Sequence, residues 1–334
     1  MLRKAISPRF LRSPACLLLV LPLAACDGRQ SVLNAAGQDS RQLLYLFIVM
    51  LAGAVVLWLG LNGLFLYVTR LRPQALKIHN VNWFLFGAGV LFPSVVIGAL
   101  LAWGLSIMPA QRAAGDGLRI AVHAEEWWWR VEYWPKGATT PIVSANEIRF
   151  PAGSRSELHL SADTYIHSLW IPALGGKMDM IPGRTTVLTL HPDLEGFYRG
   201  QCAELCGASH ALMAFQAVVM APDDFARWLK DQAASAPPPT SPAATRGEAL
   251  FRDEGCGACH TVRGTEFVGA VGPDLTHFAS RGTLGAGNWQ PTAENLMAWI
   301  AHADDLKPDV AMPAYDWLDP DQLADLAAYL KGLT

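Results

Sequence analysis

Two apolar stretches, residues 43–69 and 83–108, constrain this chain more than any other feature. Inside a bilayer every backbone N–H and C=O must be satisfied within the segment itself, so such a run becomes a helix. Each is roughly 26 residues long, enough to cross the hydrocarbon with some tilt. Asn62 is the interior polar exception in the first. Residues 70–82, between them, form a short loop carrying Arg70, Arg72 and Lys77, and basic residues mark the cytoplasmic side. The hairpin then enters and leaves from outside, which places residues 26–42 and everything after residue 108 beyond the membrane. The leader argues the same independently: Arg3, Lys4, Arg9 and Arg12 precede a short apolar run at 16–21, the shape of a signal peptide over residues 1–25.

That leader ends Leu23-Ala24-Ala25-Cys26, which resembles a bacterial lipoprotein cleavage box and makes Cys26 a candidate lipidation site. An ordinary signal peptide cut nearby is the alternative. Downstream, 334 residues suffice for two or three domains, and a net charge of only -3 argues against nucleic acid as a partner. From residue 118 to about 220 the pattern turns to short, β-rich runs at 118–122, 127–133, 147–150, 157–160, 186–190 and 215–220, several separated by Pro/Gly turns. Such spacing predicts an all-β Greek-key sandwich or barrel over residues 115–231, closed by a short amphipathic helix at 222–230. Residues 232–245 are a Pro/Ala/Ser linker that, extended, would reach about 40 Å at about 3 Å per residue. Beyond it, residues 246–334 form a last unit with helices expected at 292–301 and 320–331, the second presenting Leu323, Leu326 and Leu330 on one face.

The stretch Gln-Cys-Ala-Glu-Leu-Cys-Gly-Ala-Ser-His-Ala-Leu-Met, from Gln201 to Met213, puts Cys202, Cys206, His210 and Met213 at spacings that let two thiolates, an imidazole and a thioether converge. Thiolate and imidazole suit zinc or copper, and the soft thioether favours copper. A structural zinc site with Met213 in the core is the alternative. Upstream, His167-Ser168-Leu169-Trp170-Ile171-Pro172 offers a second imidazole. In the last unit Cys256-Gly257-Ala258-Cys259-His260 is a c-type haem attachment motif, with a redox dithiol or a zinc knuckle as weaker alternatives.

These segments resemble subunit II of the haem-copper cytochrome c oxidases, in which H-S-x-x-x-P and G-Q-C-x-E-x-C-G-x-x-H-x-x-M segments carry the binuclear copper A centre. The resemblance implies a multidomain membrane protein: a two-helix transmembrane hairpin, an all-β cupredoxin-like domain and an all-α cytochrome c domain, as in caa-type oxidases. It implies that Cys202 and Cys206 bridge two coppers, with His167 and His210 as terminal ligands and Met213 and the Glu204 carbonyl as weak ones. The Glu204 carboxylate would help bind magnesium at the interface with subunit I. Small class-I cytochromes c also show Gly-Pro-x-Leu and Met-Pro segments, matched by Gly272-Pro273-Asp274-Leu275 and Met312-Pro313. Cys256 and Cys259 would then hold haem c covalently, His260 and Met312 would be its axial ligands, and the Pro273 carbonyl would hold the His260 ring. Met297, His277 and His302 are the competing sixth ligands.

In Glu125-Glu126-Trp127-Trp128-Trp129, Trp127 takes the position where electrons enter in the family, although Glu126 replaces the usual Gln; core packing is the equal alternative. Asn80 stands where many relatives have a glutamate at a proton pathway. His123, His159 and His191 are expected to be ordinary polar residues. The six cysteines are thereby accounted for without a disulfide: Cys16 in the leader, Cys26, two for copper and two for haem.

The expected role is the electron-entry subunit of a terminal oxidase in a bacterial inner membrane, with its folded domains on the periplasmic side. Its partners would be subunit I, the other oxidase subunits and an upstream donor, cytochrome c or a cytochrome bc complex. Alternatives are the equivalent subunit of a copper A nitric oxide reductase, a quinol oxidase subunit, which would lack these copper ligands, and a copper carrier.

Overall fold

A computed structural model describes residues 28–71 and 81–334. The leader, Cys26, Arg72, Lys77 and Asn80 lie outside the described residues. Two long apolar helices come first: α1 over Gln38–Leu71 and α2 over Val81–Gln111, each ending or interrupted by a π-helical turn, at Tyr67–Leu71 and Gly87–Leu91. Both have the length and hydropathy to cross a membrane, and neither buries its membrane-length segment against protein.

The next unit is a sandwich of two five-stranded sheets, ordered β3-β2-β1-β5-β8 and β4-β10-β9-β6-β7. The strands are β1 Arg119–Ala124, β2 Trp129–Trp134, β3 Ile142–Ala145, β4 Glu147–Pro151, β5 Ser156–Ala162, β6 His167–Trp170, β7 Met178–Met180, β8 Thr186–Leu190, β9 Gly196–Cys202 and β10 Ala214–Met220. In β1, β2 and β5 alternate residues are buried, the period-two signature of a strand with one face on a core. Ile120, Trp129, Tyr133, Leu158 and Leu160 of one sheet meet Ile148, Phe150, Leu169 and Phe215 of the other. Across that core the Trp129 and Phe215 rings pack edge to face with centroids 5.1 Å apart, the arrangement favoured by the aromatic quadrupole.

The sandwich is fastened to the outer ends of the helices. Asp39, in the first turn of α1, is buried against Arg155, with Nη2–Oδ1 and Nη1–Oδ2 at 3.0 and 3.2 Å. The same carboxylate accepts the His191 N–H at 2.9 Å. The Ser40 hydroxyl donates to the Ala173 carbonyl, and at the end of α2 the Gln111 carbonyl accepts the Thr189 hydroxyl. Buried charges persist only when paired and hydrogen-bonded, so this junction requires both partners.

Helix α3, Pro222–Gln232, follows the sandwich, and the chain then departs from the expected extended linker. Gln232 is buried, the Ala236 N–H donates to the Arg263 carbonyl at 2.9 Å, and helix α4, Pro242–Asp253, begins inside the segment with Ser241 as its N-cap. A serine followed by proline is a strong helix start, which the Pro/Ala composition concealed.

The last unit packs α4 against α7, Pro320–Gly332, with α5, Ala293–Ala301, and the short α6, Ala303–Leu306, alongside. The α4–α7 crossing needs a glycine: a Cβ at Gly247 would lie 2.0 Å from the Asp325 carbonyl oxygen. Asp319 and Gln322 close a capping box at the start of α7.

Candidate metal and haem sites

The first site is built by strand register. β6 pairs antiparallel with β9, aligning Leu169 with Cys202, so that His167 at the start of β6 reaches the end of β9. The loop from there to β10 is closed at its neck by the Cys202 N–H on the Met213 carbonyl at 2.9 Å, and is tied to β6 by Ala203 N–H on the Ser168 carbonyl. A 3-10 turn at His210–Leu212 folds His210 back over the cysteines. The Cys202 and Cys206 sulfurs are 3.7 Å apart. His167 Nδ1 is 3.8 Å from Cys202 Sγ, and His210 Nδ1 is 3.5 Å from Cys206 Sγ. Met213 Sδ lies 3.9 Å from Cys206 Sγ, and the Glu204 carbonyl 3.2 Å from Cys202 Sγ.

Cys202, Cys206, His167 and Met213 are all buried. The hydrogen bond between the two sulfurs lowers the Cys202 thiol well below its ordinary range and raises the Cys206 thiol. Two soft sulfurs, two imidazoles and a thioether around one point fit copper by donor chemistry, since the thiolate is the ligating form. The Glu204 carboxylate points elsewhere, half-exposed and 3.5 Å from Lys177 Nζ.

Trp127 stands against this loop. It precedes β2 instead of lying within it, and is 5% exposed. Its indole N–H donates to the Cys206 carbonyl at 2.9 Å, and its ring lies over Gly207, where a Cβ would come within 2.8 Å of Cζ2 and φ is +117°. Only glycine serves at that position.

The second site is a largely apolar cavity whose wall includes Cys256, Cys259, His260 and Met312, with Trp127 and Trp128 closing one side. His260 Nδ1 bonds the Pro273 carbonyl at 2.8 Å, as expected, which fixes the ring and leaves Nε2 for a metal. Burial draws the His260 imidazole below its ordinary value, keeping it neutral, the form that ligates. A Cβ at Gly272 would fall 2.6 Å from the ring, so the loop must be glycine for His260 to sit there. Of the competing residues, His277 commits both ring nitrogens, to the Thr334 and Ala234 carbonyls at 2.8 and 3.0 Å. His302 is exposed, and Met297 packs on the helical core away from the cavity wall. Paired thiols, a held imidazole and a facing thioether fit a covalently attached haem.

One residue here carried no sequence signal. Lys307 is 3% exposed, and burial pulls its ammonium down to about 7. It lies between the two sites, and a lone lysine has no pattern by which to announce itself.

Fold and sites together define a class: a membrane-anchored, cupredoxin-like domain joined to a class-I cytochrome c domain. Residues 122–220 match the family model described as cytochrome c oxidase subunit II, periplasmic domain, and residues 244–334 match that of cytochrome c. Residues 122–220 thus belong to the family of cytochrome c oxidase subunit II periplasmic domains and residues 244–334 to that of cytochrome c, in that order along one chain. It is 36% identical over 225 residues to cytochrome c oxidase subunit 2 of Alkalihalophilus pseudofirmus, covering 67% of this chain and 64% of that one. Against the Bacillus subtilis protein of the same name the identity is 34% over 232 residues, covering 66% and 64%. The chain therefore spans just under two thirds of the length of these relatives. A crystal structure of the periplasmic domain of subunit II of cytochrome oxidase from Bradyrhizobium japonicum aligns over 36% of this chain and 95% of its own, at 27% identity and a TM-score of 0.31. The domain types imply copper and haem c, on an extracytoplasmic unit anchored by the two apolar helices.

Proposed function

We propose that this chain is the electron-entry subunit of a haem-copper terminal oxidase in a bacterial inner membrane, assembled with subunit I and other oxidase subunits. When bound, haem c and a binuclear copper centre supply the one-electron chemistry that carries electrons from an upstream donor, cytochrome c or a cytochrome bc complex, toward subunit I and oxygen. The observation that carries the reading is the common wall: Trp127 lines the cavity of Cys256, Cys259 and His260 and also hydrogen-bonds the loop of Cys202 and Cys206.

Within this reading Cys202, Cys206, His167 and His210 hold the coppers, with Met213 and the Glu204 carbonyl as weaker donors. Their pre-placement on a strand end and a loop tied at its neck limits what must move when charge arrives. Cys256 and Cys259 would anchor the haem, and His260 and Met312 would supply the imidazole and thioether that hold its iron. The Glu204 carboxylate, freed from Lys177, would offer oxygen to magnesium at the subunit I interface, and Cys26 would carry the lipid. Signal cleavage and coupled proton translocation belong to the same reading.

The test is oxygen consumption by the purified complex containing this chain, supplied with a reduced donor. Oxygen uptake abolished by Cys202→Ser supports it. Consumption of nitric oxide in place of oxygen contradicts it.

A further inference from the structure

The two sites face each other across a seam between domains, and the seam is made for close backbone contact. The Ala214 N–H, at the start of β10, donates to the Ala286 carbonyl at 3.0 Å, and Arg199 Nη1 donates to the Gly287 carbonyl at 2.8 Å. Gly287 has φ +83°, and a Cβ there would lie 2.8 Å from the Phe215 amide nitrogen, so this approach is closed to every other residue. Ser209, inside the copper-site loop, donates to the Pro308 carbonyl at 2.6 Å.

Lys307 completes this seam. It belongs to the cytochrome domain, yet its Nζ donates to two carbonyls across the boundary, Trp127 at 2.6 Å and Leu212 at 3.1 Å, with its own domain's Gly285 carbonyl at 3.5 Å. Three carbonyls thus receive its three N–H donors, and among the described residues no carboxylate pairs with it. A buried ammonium needs such acceptors. Two of them exist only while the domains are docked. The carbonyls it bridges belong to the segments that matter: Trp127 abuts Gly207 and Cys206, and Leu212 precedes Met213.

We propose that Lys307 is a positioning residue that closes a fixed docking interface between the two domains, holding Trp127 between haem cavity and copper loop. The chain's own cytochrome domain thereby occupies this face, and a diffusing donor protein is kept from it. The cytochrome domain is a docked partner, not a swinging one. The significance for electron transfer rests on the oxidase reading, whereas the docking itself does not.

The experiment uses the full chain with both cofactors, within its complex, as wild type, Lys307→Arg and Lys307→Met. Amide hydrogen exchange is followed at Ala214, whose N–H crosses the seam, and over 281–288, with α4 and α7 as internal controls. Losing the Lys307 bonds to two carbonyls should speed exchange at the seam about 10- to 100-fold. Wild type is expected to be protected there, Lys307→Met to lose that protection with α4 and α7 unchanged, and Lys307→Arg to recover much of it. The inference is overturned if wild-type seam amides exchange at open-loop rates, if Lys307→Met leaves them unchanged, or if α4 and α7 loosen equally. Should Lys307→Met fail to accumulate, Gly287→Ala replaces it and must open the same amides. Seam protection without oxygen uptake would count against the oxidase reading alone, and normal uptake with an open seam against this inference alone.

Discussion

The junction between the membrane helices and the sandwich yields the prediction with the most definite size. Asp39→Ala removes the carboxylate that neutralises Arg155, whose side chain is 8% exposed, and also removes the acceptor of the His191 N–H. Breaking a buried pair by deleting one partner costs about 3–5 kcal/mol, because the survivor stays charged and desolvated. At about 1.4 kcal/mol per decade that is roughly two to three and a half orders of magnitude in the opening equilibrium of the junction. Asp39→Asn keeps an acceptor for His191 but not the charge, so it should fall between. In Asp39→Ala/Arg155→Met no charge is left stranded, and most of the loss should be recovered. Amide exchange at Gln38, which bonds to the His191 carbonyl and keeps that acceptor in every variant, reads the opening directly. If Asp39→Ala speeds this exchange no more than the double variant does, the junction is not held by the ion pair.

Three further outcomes follow from the sites. Trp127→Phe keeps the ring but loses the bond to the Cys206 carbonyl; thermal stability of the copper domain should drop by about 0.5–1.5 kcal/mol, with copper release by a chelator correspondingly faster. Gly207→Ala combines a positive φ with a clash on Trp127 and should cost about 1–3 kcal/mol, visible as a lowered melting temperature of the same domain. Acid should loosen the start of β5: Asp116, through the Arg155 N–H, and Glu157, through the Gly115 N–H, both have carboxyls held below their ordinary values. Their stabilisation is therefore complete above the ordinary carboxylate range and is lost as pH falls through it and below. A pH series of melting temperatures should show Asp116→Asn less sensitive to acid than wild type.

How much of this was legible in the sequence depended on whether a residue's role was local. The apolar helices, the β-rich alternation and the spacing of Cys202, Cys206, His210 and Met213 are properties of short segments; the helices and most of the strands form where expected, and the four side chains come together. Strand β9 escaped because Gly200 interrupts it, and Gly200 is there because a Cβ would lie 2.1 Å from the Phe215 ring. Strands β6 and β7, of four and three residues, are too short to show a period. Trp127 read as the first residue of a strand because three consecutive tryptophans suit one, yet its bond to Cys206 and its place under the cytochrome domain hold it in the loop before β2. Lys307 and Gly287 were silent for the same reason: their meaning lies across a domain boundary, and no pattern along the chain encodes a contact of that range.

Copper and haem content of the intact chain, read together with its electron spin resonance spectrum, decides whether the two sites hold what their donor sets fit. Two copper ions and one covalently bound haem per chain are expected, with the unpaired copper electron split by two equivalent nuclei. One zinc ion per chain, or a copper signal split by a single nucleus, would contradict that expectation.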